Sequence, residues 1–135
     1  MLQTIGYVST VAPLLKNSEM KELFEFVKRT NSSLGITGIL MYSDGNFFQV
    51  LEGEKEQLQN LFKKIQSDSR HYNVIKFFDR KITSCLFTQY QSSFSVISKK
   101  NEYRDLDVFL KNEKSSDPDN FRKILYLVDK FMKTS

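Results

Sequence analysis

A chain of 135 residues with 40% hydrophobic and 27% charged side chains has the make-up of one globular domain, which excludes disordered, collagenous and two-domain readings. Its net charge of +4 comes from scattered basic pairs such as Lys63-Lys64 and Lys99-Lys100, interleaved with acids, so a solvated surface is expected and nucleic acid is not an expected partner. A single cysteine, Cys85, and a single histidine, His71, exclude an internal disulfide, a CxxC redox pair and a cysteine-rich or two-histidine metal site. No apolar run approaches the roughly 20 residues that cross a bilayer, and the amino terminus lacks a secretory layout. A cytoplasmic protein with no membrane partner is expected.

Residues 2–10, LQTIGYVST, alternate and are rich in β-branched and aromatic types, which predicts a first strand with Ile5, Tyr7 and Ser9 on one face. Met20, Leu23, Phe24 and Val27 then recur at helical spacing, predicting an amphipathic helix capped by Ser18 and fading near Thr30, Asn31 and Ser32. GITGILMY at 35–42 and NFFQVLE at 46–52 flank an Asp44-Gly45 step, the signature of a tight hairpin. Leu58, Leu61, Phe62 and Ile65 mark a second helix over 54–68, and strands are expected at 74–79 and 84–94, with Cys85 a small buried residue of the latter.

This order predicts an α+β fold: a ferredoxin-like βαββαββ core, with a mixed five-stranded sheet and two helices on one face. Beyond it, Tyr103, Leu106 and Leu110 suggest a short helix, and Asp117 and Pro118 open a final one with a stripe of Phe121, Ile124, Leu125, Val128 and Met132. That pair is expected to cover the sheet's other face. The expected division is a core over 1–95 and a helical segment over 96–135.

Several polar residues sit in apolar ground. Gln49 shares either face with large apolar neighbours. Its amide either is buried and needs partners, since unpaired burial costs about 1–3 kcal/mol, or bonds nearby backbone or meets water at a sheet edge. Tyr7 poses the same question for its hydroxyl. Asn31 is most simply a helix-end residue. Asp68 continues the inward stripe of the second helix, where a carboxylate opposes the macrodipole and implies a local partner such as Arg70.

Taken in order, Tyr7, NSSLGITGIL (31–40), GNFFQVLEG (45–53), DSRH (68–71) and FTQYQSSF (87–94) resemble BLUF domains, the flavin-binding blue-light sensors, over residues 1 to about 95. The resemblance implies FAD held between the two core helices and no enzymatic activity. By matching position, Tyr7 would be the photochemical electron donor, and Gln49 the amide between that phenol and the flavin. Asn31 would bond the flavin's carbonyl and imide edge, Leu23 and Ile65 would sandwich the ring, and Asp68, Arg70 and His71 would lie toward the ribityl and phosphate side. Excitation would leave the glutamine rotated or tautomerised, because one end of an amide donates and the other accepts.

The chain departs from the family pattern at three places. Thr30 stands where many members carry a second Asn. Tyr90 and Ser92 stand where the family often has Trp and Met, along the usual signal conduit from the glutamine to the outer helices. Tyr90 would be a competing electron donor, and Ser92 a hydrogen-bond partner for Gln49. Output is expected through a separate effector protein or homo-oligomerisation. Two other readings differ in class. A small acylphosphatase-like enzyme would need a phosphate cradle, which the GITG segment does not provide. A flavin-free interaction module would be favoured by loss of Tyr7 or Gln49, and both are present.

Overall fold

In the computed structural model, which describes residues 1–90, 93–113 and 117–133, the elements run β1 (Leu2–Val11), α1 (Asn17–Ser33), β2 (Thr37–Ser43), β3 (Asn46–Glu54), α2 (Lys55–Gln66), β4 (His71–Lys81), β5 (Phe94–Ile97), α3 (Lys100–Asn112) and α4 (Pro118–Lys133). The sheet order is β4-β1-β3-β2-β5. The first four strands pair antiparallel in the ferredoxin-like arrangement, and β5 adds parallel to β2, giving the expected mixed sheet. No helix among the described residues is long and apolar enough to cross a membrane.

The strand alternation sorts side chains into two cores. Ile5, Leu40, Phe47 and Leu51 face one side, against Leu23 of α1 and Leu58, Leu61 and Phe62 of α2. Ile39, Met41, Phe48 and Val50 face the other, against Leu106 and Leu110 of α3 and Ile124 and Val128 of α4. The C-terminal pair therefore does cover the face that the core helices leave bare.

Local chemistry sets the ends. The β2–β3 turn has positive φ at both Asp44 (49°) and Gly45 (80°), between the paired Ser43 and Asn46, as a tight two-residue hairpin requires. Ser18 is not the cap of α1. The cap is Lys16, two residues earlier, and its N–H donates to Glu19 Oε1 at 3.1 Å. At α3 the Lys99 N–H likewise donates to Glu102 Oε1 at 2.8 Å, which extends that helix ahead of its first expected residue, Tyr103. Asp117 does open α4: its Oδ1 accepts from the Asn120 N–H at 3.4 Å and its Oδ2 from the Thr83 N–H at 3.0 Å.

The strand expected over 84–94 is corrected. The last strand is only Phe94–Ile97, and before it the chain makes a short 3₁₀ turn at Phe87–Gln89. The reason is a competing acceptor: the Leu86 and Phe87 amides donate to the buried Glu52 carboxylate at 2.6 and 3.0 Å, which withdraws them from any ladder. Leu86, Phe87 and Tyr90 are apolar there because they pack into the α3–α4 core. Cys85 accordingly lies in a loop and is half-buried. Ser92 falls outside the described residues.

Gly38, the second glycine of GITG, has φ +145°, and a Cβ there would stand 1.9 Å from the Val50 carbonyl oxygen. Gly38→Ala should therefore destabilise the fold by at least about 3 kcal/mol, combining backbone strain with a backbone clash. Gly45→Ala, where a Cβ meets nothing within 4 Å, should cost only about 1 kcal/mol. Urea unfolding midpoints distinguish the two.

Candidate functional site

Tyr7 on β1 is the direct cross-strand partner of Gln49 on β3, so antiparallel pairing places both side chains on one face, the one covered by α1 and α2. Each is 3% exposed; Gln49 thus does not face water at an edge. Its Nε2 donates to the Tyr7 hydroxyl oxygen. Asn31, also 3% exposed, reaches from the last turn of α1, and its Nδ2 donates to Gln49 Oε1 at 3.5 Å. The helix-end residue is therefore also the third member of a buried polar chain. A carboxamide presents a donor at one end and an acceptor at the other. Turning both amides over would reverse every polarity in the chain and make Tyr7 the donor.

This chain borders a cavity of about 250 Å³. Leu23, Phe26, Val27 and Thr30 of α1 form one wall and Leu61, Lys64 and Ile65 of α2 the other. Leu40 and Phe47 of the sheet also line it, with Asp68, Arg70 and His71 from the α2–β4 connection. All eight expected binding residues, Tyr7, Leu23, Asn31, Gln49, Ile65, Asp68, Arg70 and His71, line this one space. Leu23 and Ile65 come from different helices, as the two inward stripes foretold.

The rim is pre-ordered. α2 ends at Gln66 with Ser67 as its C-cap, so Asp68 lies past the helix rather than in its last turn. Its partner is the expected one: Arg70 donates from Nε to Oδ1 at 2.9 Å and from its terminal nitrogen to Oδ2 at 2.6 Å. That pairing holds the Asp68 carboxyl below its ordinary range. The ion pair is therefore complete above the usual carboxylate pKa and is lost as pH falls through the depressed one. The Arg70 guanidinium also lies 5.1 Å from the centre of the Phe26 ring. His71 bridges Ser9 Oγ, at 2.8 Å from Nδ1, and the Ile65 carbonyl, at 2.6 Å from Nε2. A carbonyl only accepts, so Nε2 carries a proton toward it.

Burial pushes the Tyr7 phenol far above its ordinary pKa, which keeps it neutral and its proton in place. Tyr90 is elsewhere. It is buried on the opposite side of the sheet, its ring centre 4.6 Å from that of Phe109 on α3, and it does not line the cavity. A role as a donor competing beside Tyr7 is therefore not what its position offers. Burial raises its phenol to about 12.

Phe26, Val27, Thr30, Leu40, Phe47, Leu61 and Lys64 also line the space without having been singled out as binding residues. Val27 and Leu61 carried a signal, since they continue the two stripes. Phe26 carried none: at 44% exposed it lies off the stripe, and Arg70 brings it into the site.

The family described as sensors of blue-light using FAD, BLUF, matches residues 2–93. The chain is 34% identical over 76 residues to the blue light- and temperature-regulated antirepressor BluF of Escherichia coli K12, covering 56% of this chain and 19% of that protein. It is 36% identical over 74 residues to the photoactivated adenylate cyclase subunit beta of Euglena longa, covering 55% of this chain and 9% of that one. The structure of the BlrP1 BLUF domain superimposes with a TM-score of 0.75 at 32% identity, over 95% of this chain and 88% of that one. The chain thus spans under a fifth of the length of either relative, and what is shared is the sensor. With most of its length matched and its fold superimposed, the chain belongs to the BLUF family of blue-light sensors.

Proposed function

We propose that this chain is a blue-light receptor that holds FAD in the cavity between α1 and α2 and registers light as a change in the hydrogen-bond polarity of Asn31, Gln49 and Tyr7. One observation carries this reading: a buried three-membered chain of phenol and amides ends at a slot walled by Leu23 and Ile65. An apolar slot with a few convergent polar groups suits a planar ring with a polar edge. The cavity lies near the lower bound of roughly 300 Å³ for small-molecule sites. It accommodates the ring system and leaves the rest of the ligand along the rim, where Lys64 and Arg70 favour a phosphate.

In this reading Leu23 and Ile65 clamp the ring faces, while Asn31 and Gln49 address its polar edge. Arg70, braced by Asp68, and His71, braced by Ser9 and the Ile65 carbonyl, order the outer part. The bound flavin supplies absorption of blue light and, once excited, an electron acceptor. Tyr7, neutral and fully desolvated, is placed to release an electron and its hydroxyl proton. Gln49, whose Nε2 donates to the Tyr7 oxygen, is placed to turn its amide in response, which would present Oε1 as the acceptor for that proton. Either polarity of the chain keeps its two bonds, so it offers two settings separated by rotation of buried groups.

Residues 1–95 act as the light-sensing core in this account, and 96–135 as the segment that conveys its state. The packing of α3 and α4 on the opposite sheet face supports that division. Output then passes to a second copy of the chain or to a separate effector protein. The activities named for the relatives belong to proteins of which this chain matches a small share, which supports a sensor role without catalysis of its own.

Purified with FAD, the protein should be yellow. Blue light should displace its visible band slightly to longer wavelength, with slow return in darkness; a preparation that takes up no flavin contradicts the proposal. Tyr7→Phe and Gln49→Leu should each keep flavin bound and abolish the reversible shift, and a normal light response in either would exclude the assigned pair. Arg70→Gln should weaken FAD by about tenfold, the worth of one charge-assisted hydrogen bond, and leave riboflavin binding nearly unchanged. Equal losses for the two ligands would remove Arg70 from the phosphate side.

A further inference from the structure

The proposed photochemistry makes no use of Glu52, yet this acid is 0% exposed. It stands on β3 three residues beyond Gln49, on the side of the sheet that faces α3 and α4. Among the described residues its carboxylate accepts three hydrogen bonds: Oε1 from Thr37 Oγ1 at 2.7 Å and from the Phe87 N–H at 3.0 Å, and Oε2 from the Leu86 N–H at 2.6 Å. No lysine or arginine is among these partners. Burying a carboxylate without a cation is strongly unfavourable unless hydrogen bonds replace its hydration. Here all three facing groups donate, and an ionised carboxylate is the one side chain of this size with acceptors at both ends. Glutamine would turn an NH₂ group toward a donor.

What the carboxylate holds matters for the other face. Leu86 and Phe87 lead into the 3₁₀ turn that ends beside Tyr90. The rings of Phe87 and Tyr90 lie 6.3 and 4.6 Å from that of Phe109 on α3. One strand therefore carries, three residues apart, the amide of the cavity chain and the acid that suspends the turn against α3. Hydrogen bonds as short as these weaken steeply when their angles change, so a small shift of β3 against its neighbours is felt at the turn before looser contacts register it.

We propose that Glu52 is the positioning residue that couples the setting of Gln49 to α3, through the Leu86 and Phe87 amides and the aromatic contacts on Phe109. The inference rests on the reading that light resets Gln49. It gives that signal a defined crossing point through the sheet: the two settings of the cavity chain bias β3, and the carboxylate passes the bias to a turn that packs on the output helix.

The test is residue-resolved amide hydrogen exchange on the full chain loaded with FAD, in darkness and under blue light, alongside the visible spectrum. In the unmodified protein, protection of the Leu86 and Phe87 amides should fall on illumination together with that of α3. Glu52→Gln should keep the flavin spectral shift, raise dark exchange at 86 and 87 by about tenfold, and remove most of the light-minus-dark difference in α3. A merely structural role would raise exchange equally in both conditions and leave that difference intact, which would overturn the proposal. So would an unmodified protein in which α3 responds while Leu86 and Phe87 do not, a comparison that decides the matter even if Glu52→Gln takes up no flavin. An unmodified protein that shows no spectral shift at all overturns the light-receptor reading as well, and is thereby distinguished from failure of the coupling alone.

Discussion

The pairing of Tyr7 with Gln49 across β1 and β3 is the constraint around which the rest is arranged. It sets a phenol and a carboxamide side by side on a sheet face otherwise lined by Ile5, Leu40, Phe47 and Leu51. Left unpaired in such surroundings, each polar group would cost about 1–3 kcal/mol. Asn31 is drawn in from the end of α1 to take the remaining amide oxygen, and this fixes where that helix closes on the sheet. With the polar groups gathered at one end, the facing parts of α1 and α2 present Leu23, Val27, Leu61 and Ile65 to the space between them.

Periodicity was enough to recover most of this architecture. Two stripes at helical spacing, one Asp-Gly hairpin and the strands expected at 2–10 and 74–79 set the order of the first six elements, and the stripes alone put Leu23 and Ile65 on facing walls. The burial of Gln49 was posed correctly by its neighbours, although spacing could not choose between a core amide and one at a sheet edge; the resemblance of whole segments made that choice. The misread stretch is instructive. Apolar residues at 86, 87 and 90 suit a strand as well as a turn, because both bury the same side chains. What decides is a carboxylate 34 positions upstream of Leu86, a non-local acceptor that no local pattern reveals. Glu52 itself looks like an ordinary polar residue near a strand end. Asp68 illustrates the smaller error: its partner was legible from the adjacent Arg70, but the end of α2 two residues earlier was not.

The sheet gives the same strands two differently packed faces. On β3, Phe47, Gln49 and Leu51 serve the cavity side while Phe48, Val50 and Glu52 serve α3 and α4. A bacterial antirepressor and a cyclase subunit match this chain over 76 and 74 residues, and in the proposed reading the signal leaves through the side of the sheet that α3 and α4 cover. In this chain that side is tied down by Tyr90 against Phe109, by Phe48 against Phe131 at 5.7 Å, and by the Tyr103 hydroxyl on the Tyr42 carbonyl. The last two contacts join α4 to β3 and α3 to β2, inside the sheet rather than at its edge.

The most direct test of the account follows the Gln49 amide itself. In protein labelled with ¹⁵N at glutamine side chains and loaded with FAD, the Gln49 amide protons should give one resonance pair in darkness, shifted by the bond to the Tyr7 oxygen. Blue light should convert that pair to a second position that decays back at the rate at which the visible band recovers. A flavin band that shifts and recovers while the Gln49 resonances stay where they were would contradict the claim that this side chain is the switch.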